Sequence, residues 1–176
     1  MEDRMDLKST IRVIEGYPVE GVSFKDITTL LKDKEAFKQS LDMLEEALDG
    51  LEFDYILGIE SRGFIFGAPL ADRLNKGFIP VRKPGKLPGE IERISYDLEY
   101  GNNELEMHTD ALTKGDRVVI LDDLIATGGS ARAAAKLVET LGAEVAAFEF
   151  LIELKDLNGR EVLEDYKVIS LVKYDH

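Results

Sequence analysis

A chain of 176 residues, 44% hydrophobic and 32% charged, is sized for one domain that buries roughly 70% of its unfolded surface, and no apolar run in it reaches bilayer length. Its formal charge of -13 argues against nucleic acid as the main partner, because such binding relies on a basic surface. The absence of cysteine excludes disulfides, thiolate catalysis and cysteine-held zinc, and the first residues lack the basic start and apolar middle of a signal peptide, so no membrane partner and a cytoplasmic location are expected.

In chain order, residues 1–15 place Met5, Ile11 and Ile14 among polar neighbours and read as a short amphipathic helix, followed by a loop around Pro18. Residues 22–27 form a short segment whose aromatic, Phe24, is on pattern alone a core residue. Residues 34–49 are a helix with Phe37, Leu41, Leu44 and Leu48 on one face, Asp33 as its cap and Gly50 at its end. Tyr55-Ile56-Leu57-Gly58-Ile59 is a buried strand, which leads through the polar loop Glu60-Ser61-Arg62-Gly63 into an apolar helix over 64–74. Arg62 therefore lies at a strand's carboxyl end, where either a structural ion pair or contact with an anion suits a guanidinium.

A strand over 77–81 precedes the loop 82–89, in which Arg82, Lys83 and Lys86 form a basic cluster against the acidic background. Beyond it Ile94, Tyr96, Leu98 and Tyr100 alternate with polar residues, Gly101-Asn102-Asn103 reads as a turn, and Leu105 and Met107 resume the period. This is a β-hairpin and a candidate lid. Pattern alone leaves Glu99 facing solvent.

Residues 118–130, Val-Val-Ile-Leu-Asp-Asp-Leu-Ile-Ala-Thr-Gly-Gly-Ser, are the most informative stretch. Four apolar residues form a strand, Asp122 and Asp123 mark its carboxyl end, and a glycine turn enters a helix over 131–141. A carboxylate pair at such an end can accept hydrogen bonds from vicinal hydroxyls or hold a divalent metal. Gly128 and Gly129 let backbone amides approach an anion, the helix adds its dipole, and Thr127 and Ser130 supply hydroxyls. Taken bare, the same residues are a strand-to-helix connection with capping groups. A ribose 5-phosphate would satisfy all of them together. A strand over 143–152, an Asn158-Gly159 turn and a strand over 168–172 close the chain. Alternating strands and helices imply a mostly parallel α/β sheet flanked by helices.

The run of strand, Asp-Asp, Ala-Thr-Gly-Gly and helix resembles the diphosphate-sugar motif of the type I phosphoribosyltransferases. Further stretches, Gly21 to Ile27, Glu60-Ser61-Arg62-Gly63-Phe64, the loop 82–89, residues 95–101, and Glu153-Leu154 with Gly159-Arg160-Glu161, are similar in order and spacing to the adenine-using members, nearly end to end. The resemblance implies the type I phosphoribosyltransferase fold as one domain over 1–176, with a small base-binding hood largely in 1–32 and a hairpin lid at about 84–110. It implies transfer of the 5-phosphoribosyl group of phosphoribosyl diphosphate to adenine, giving AMP and diphosphate, with Mg²⁺ required and a homodimer as the assembly. The alternatives are another purine base (hypoxanthine, guanine or xanthine) or a non-catalytic phosphoribosyl diphosphate sensor, although no basic DNA-binding segment accompanies it.

Carried over by position, Asp122 and Asp123 hold the ribose hydroxyls, and Ala126, Thr127, Gly128, Gly129 and Ser130 cradle the 5-phosphate. Arg62, Arg82, Lys86 and Ser61 face the diphosphate. Phe24 stacks on adenine, backbone groups of Ser23 and Lys25 read its edge, and Leu154 covers its other face. Glu99 becomes the acid/base candidate at N7, beside Tyr100 on the lid. No metal ligand is directly assigned; Mg²⁺ is expected on the diphosphate and ribose, near Asp122 and Asp123. The resemblance also implies a cis peptide at Glu60-Ser61. His108 and His176 receive no role.

Overall fold

The computed structural model describes residues 3–98 and 101–176; positions 1, 2, 99 and 100 and the side chain of Leu98 lie outside that description. Glu99 and Tyr100 therefore fall outside the described residues.

Five parallel strands form the central sheet: β3 (Tyr55–Ile59), β4 (Gly77–Val81), β7 (Arg117–Ile125), β8 (Glu144–Leu154) and β9 (Val168–Tyr174), in the spatial order β4-β3-β7-β8-β9. Two antiparallel ribbons stand apart from it, one of β1 (Arg12–Glu15) with β2 (Ser23–Asp26), the other of β5 (Ile91–Leu98) with β6 (Gly101–His108). The helices are α1 (Thr28–Lys32), α2 (Lys34–Ala47), α3 (Glu60–Arg73), α4 (Gly129–Thr140) and α5 (Gly159–Val162).

Parallel strands are buried on both faces, and the two faces meet different partners. One is covered by α1, α2 and α3 through Leu30, Leu41, Leu44, Phe66 and Leu70. The other is covered by α4 through Ala134, Leu137 and Val138, together with Leu105 and Met107 of the second ribbon. That ribbon is thus rooted in the core at one end, which a free two-stranded hairpin would not be. The first strand of the sheet to form a crossover, β3, has β4 on one side and β7 on the other. The chain reverses its direction of winding between β3 and β7, and in open α/β sheets the cleft lies outside the carboxyl ends at that reversal.

Several boundaries differ from the sequence expectation for local reasons. Residues 1–15 do not form an amphipathic helix. Leu7–Thr10 is a single 3-10 turn, capped by the Asp6 carboxylate accepting from Lys8 N at 3.1 Å, and Arg12–Glu15 is extended. The β-branched Val13 and Ile14 suit the strand, and pairing with β2 overrides a three-residue apolar spacing. No polar loop separates β3 from its helix: α3 begins at Glu60, whose φ of +49° turns the chain within one residue. The Glu60-Ser61 peptide is trans, contrary to the resemblance, and the special geometry resides in this left-handed residue. Gly101-Asn102-Asn103 belongs to β6 and is not the turn, since Leu98 pairs with Gly101 and Tyr96 with Asn103. Strand β7 does not end at the carboxylates but pairs with β8 through Ile125. By contrast α2 is capped as expected, Asp33 accepting from Glu35 N at 3.0 Å and Ala36 N at 3.2 Å.

On β8, Phe148 and Phe150 face α4's side of the sheet, so Glu149 points to the opposite face. It is fully buried, neither carboxylate oxygen has a hydrogen-bond partner among the described residues, and burial pushes its pKa from 4.5 up to about 9. Below pH 4.5 the group is neutral folded and unfolded; between about 4.5 and 9 only the unfolded chain releases the proton, so stability falls as pH rises and levels off above about 9. Glu149→Gln should flatten that slope in urea unfolding at pH 5, 7 and 9, and be more stable than the wild type by on the order of 3 kcal/mol at pH 7.

Candidate active site

A cleft of about 740 Å³ opens at the carboxyl ends of β3 and β7, between the β1–β2 ribbon, the loop 82–89 and the start of α4. It is lined by Ser23, Phe24, Lys25, Ser61, Arg62, Lys86, Asp122, Asp123, Ala126, Ser130 and Leu154. Those residues come from five separate segments of the chain, and all were singled out from the sequence. A second concavity of about 550 Å³, beside the end of α2, is walled by Asp42, Glu45, Glu46 and Asp49 and would repel an anion.

The carboxylate pair divides its surroundings unequally. Asp123 meets Arg62, Nε to Oδ2 at 3.2 Å, while Asp122 Oδ1 accepts from the Asp123 amide at 2.8 Å. Burial first, and then the neighbouring Asp123 charge, hold the Asp122 carboxyl well above the usual carboxylate range. A carboxyl held up by burial and a neighbouring charge is one that a further hydroxyl donor or cation would bring back to the ionised form. No cluster of three or more histidine, aspartate or glutamate side chains forms a metal cage among the described residues. Two adjacent oxygen donors without a full cage fit Mg²⁺, which commonly takes one or two carboxylates and completes its shell with water and substrate phosphates.

At the other rim Glu60 gathers the basic loop. Its carboxylate accepts from Lys83 N, pairs with Arg82 Nη2 at 3.3 Å and lies 3.6 Å from Lys86 Nζ. Burial alone would raise its pKa, but the hydrogen bonds from Lys83 and Arg82 and the charges of Arg82 and Lys86 outweigh burial and hold it below the usual value. The Arg82 guanidinium lies over the Phe64 ring at 5.3 Å and Arg82 is not among the residues that line the cleft, whereas the neighbouring Lys83 is. The reason is the place of Arg82 one residue past β4: its backbone bridges Glu106 of β6, and its side chain follows that pairing.

Helix α4 starts at Gly128, whose φ of +88° is left-handed and whose position carries no side-chain cap. The first intrahelical bond runs from Arg132 N to Gly128 O at 2.9 Å, so the amides of Gly129 and Ser130 are open at a helix N-terminus. Thr127, Gly128 and Gly129 form the backbone of this loop at the margin of the cleft, with Ala126 and Ser130 lining it.

On the β1–β2 ribbon, Gly16 N donates to Val22 O at 2.8 Å. Bonded and non-bonded pairs alternate in an antiparallel ladder, so Phe24 and Asp26 bond to β1 while Ser23 and Lys25 turn their backbone groups to the other edge of β2. Among the described residues that edge has no strand beside it. Phe24 belongs to neither apolar core, packs edge-on against Tyr17 at 5.1 Å and faces the cleft. The pattern-based core assignment of Phe24 is thereby corrected: the ribbon lies off the sheet, where alternation no longer points to the core. The Lys25 amine does not project into solvent. It donates to Ser23 Oγ at 2.7 Å and lies over the Tyr174 ring at 4.5 Å, and burial lowers its pKa.

Sequence reasoning missed Glu60, Lys83, Tyr96 and Leu105 as cleft residues. Lys83 stood in the basic cluster and could have been chosen. Tyr96 shares the hairpin face of Ile94, but only the fold carries its ring to 3.5 Å from where a Cβ on Gly129 would stand.

The chain belongs to the phosphoribosyltransferase family: its phosphoribosyl transferase domain model matches residues 26–175. Within that family it is similar along nearly its whole length to an adenine phosphoribosyltransferase of Clostridium botulinum, 59% identical over 171 residues that cover 97% of this chain and 99% of the relative. A crystal structure of adenine phosphoribosyltransferase from Thermoanaerobacter pseudethanolicus superimposes with a TM-score of 0.94 at 55% identity, covering 96% and 98% of the two chains. The yeast enzyme, solved with an imino-altritol bisphosphate and adenine, gives 0.87 at 43% identity, covering 93% and 95%. The fold is the type I phosphoribosyltransferase fold, a parallel five-stranded sheet flanked by helices.

The loop geometry yields a direct test. A Cβ at Gly128 would approach Gly159 O to 2.9 Å on a backbone with φ of +88°. Gly128→Ala should lower unfolding stability by about 1–3 kcal/mol in urea titration.

Proposed function

We propose that the protein transfers the 5-phosphoribosyl group of phosphoribosyl diphosphate to N9 of adenine, forming AMP and releasing diphosphate, a purine salvage reaction. The observation that carries this reading is the convergence on one cleft of three unlike binding surfaces: an uncapped helix start, a vicinal carboxylate pair and an unpaired strand edge bearing an aromatic ring. The relatives named adenine phosphoribosyltransferase, which match nearly the whole length of the chain, support adenine as the base.

In this reading residues 1–32 are the base-binding hood and residues 84–110 the lid. The open amides of the loop at Ala126, Thr127, Gly128, Gly129 and Ser130 receive the 5-phosphate. Asp122 and Asp123 accept from the ribose hydroxyls, and Ser61, Arg62, Lys83 and Lys86 face the diphosphate. Adenine lies between Phe24 and Leu154, with its edge read by the outward backbone groups of Ser23 and Lys25. An adenine edge offers both donors and acceptors, and a strand edge supplies their complements at fixed spacing.

Displacement at the anomeric carbon passes through an oxocarbenium-like state, in which the carboxylates stabilise developing positive charge and the basic groups stabilise the departing diphosphate. Asp122 and Asp123 would hold Mg²⁺, which when bound would supply charge neutralisation for the departing diphosphate. Glu99 acts as acid/base at N7 of the purine as N9 attacks, and closure of the hairpin excludes water that would hydrolyse the activated sugar. The assembly is a homodimer in the cytoplasm. Exposed Val13, Tyr17, Val19 and Val22 provide apolar surface for such an interface, and no described helix is long and apolar enough to cross a membrane.

Incubation with phosphoribosyl diphosphate and Mg²⁺ should yield AMP from adenine. IMP, GMP or XMP without AMP would move the assignment to another base, and binding of the sugar donor with no nucleotide from any base would make the protein a sensor. Replacing Asp122 and Asp123 together by Asn should weaken phosphoribosyl diphosphate binding by about 10- to 100-fold in calorimetry, the loss of hydrogen bonds to charged groups. Phe24→Ala should raise the KM for adenine about tenfold through lost stacking. Glu99→Ala should cut kcat by roughly 100-fold or more while leaving donor affinity unchanged.

A further inference from the structure

The segment after β8 packs beneath the loop of residues 126–130 with backbone close to backbone, flanked by the side chains of Ile125 and Val162. A Cβ on Gly128 would stand 2.9 Å from Gly159 O, and a Cβ on Gly159 would stand 2.6 Å from Ala126 O and 2.7 Å from Ile125 Cγ1. Two backbones therefore lie directly on each other, and the height of one sets the height of the other. Asn158, at φ of +57°, delivers Gly159 to this contact.

What holds the lower backbone in place is one guanidinium. Arg160 Nε donates to both Glu153 oxygens at 2.9 Å, Nη1 donates to Val168 O at 3.0 Å and Nη2 to Ser170 Oγ at 3.2 Å. Ser170 Oγ in turn donates to Glu153 Oε1 at 2.6 Å. Glu153 is buried, 6% exposed, at the end of β8 directly across from Ile125 at the end of β7. Arg160 thus ties the segment of Gly159 to β8, which pairs with the strand that launches the loop, and to β9 beyond it. Arg160 is not among the residues that line the cleft.

We propose that Arg160, clamped by Glu153 and Ser170, is a positioning residue that fixes the loop of residues 126–130 through Gly159 and so sets affinity for the 5-phosphate end of the sugar donor. This rests on the functional reading above, in which that loop receives the phosphate. An anion held by backbone amides tolerates little displacement, and an error of about 1 Å from a remote group can cost on the order of 100-fold. A guanidinium is suited to the post because its planar fork fixes direction as well as distance, which a lysine amine does not.

Calorimetry with ribose 5-phosphate, inorganic diphosphate and adenine tests it without turnover. Wild type should bind all three. Arg160→Ala and Gly159→Ala should each weaken ribose 5-phosphate binding roughly 10-fold or more and leave diphosphate and adenine affinities within twofold, and Arg160→Lys should recover part of the loss. Thermal melting monitors folding; if Arg160→Ala does not fold, Gly159→Ala and Arg160→Lys carry the comparison. Unchanged ribose 5-phosphate affinity in the folded variants overturns the inference, as does a parallel loss for all three ligands, which marks a general structural role. A wild type that binds no ribose 5-phosphate overturns the functional reading, and the inference with it.

Discussion

Strands β3 and β7 are neighbours in the sheet but are separated in the chain by β4 and a hairpin, and the cleft exists because of that separation. On one side of the reversal the chain leaves β3 into α3, carrying Glu60, Ser61 and Arg62; on the other it leaves β7 into α4, carrying the two aspartates and the glycine loop. Two helices that depart to opposite faces of the sheet leave an open space between their first turns. The ribbons then wall that space, one from the N-terminal segment and one from the stretch between β4 and β7.

The charges within this space are nearly self-compensating. Asp123 faces Arg62, and Glu60 holds the amide and cations of the basic loop. The exception is Asp122, where burial and the second carboxylate outweigh the Asp123 amide and the Arg62 charge and hold the carboxyl above its usual range. A protein with a formal charge of -13 that focuses lysines and arginines at one strand end can still attract a polyanionic donor there, because field at short range is set by the nearest groups. Remote acidic residues, such as those on α2, are screened by solvent and salt.

Backbone contact recurs wherever a loop must be held to a fraction of an ångström. Gly63 presses α3 onto β7, where a Cβ would come to 3.0 Å from Leu121 O, and Gly128 meets Gly159 in the same manner. These contacts place rigid groups against rigid groups, so position is inherited from the sheet and not from adjustable side chains.

The sequence by itself determined the alternation of strands and helices from α2 onward, the capped α2, and the Asp-Asp and glycine stretch that opens α4. These were legible because periodicity, caps and glycine turns act over a few residues, within the reach of a linear pattern. Tertiary structure alone decided that residues 12–15 are a strand, that Phe24 leaves the core, that Lys83 and not Arg82 enters the cleft, and that Glu60 organises the basic loop. It also decided the backbone contact between Gly128 and Gly159 and the ion pair of Arg160 with Glu153, which lie some thirty positions past the loop along the chain. Each of these depends on a partner distant in sequence: β2 for β1, Glu106 for Arg82, Glu153 for Arg160. A side chain's direction there is fixed by pairing across space, and no spacing along the chain carries that information.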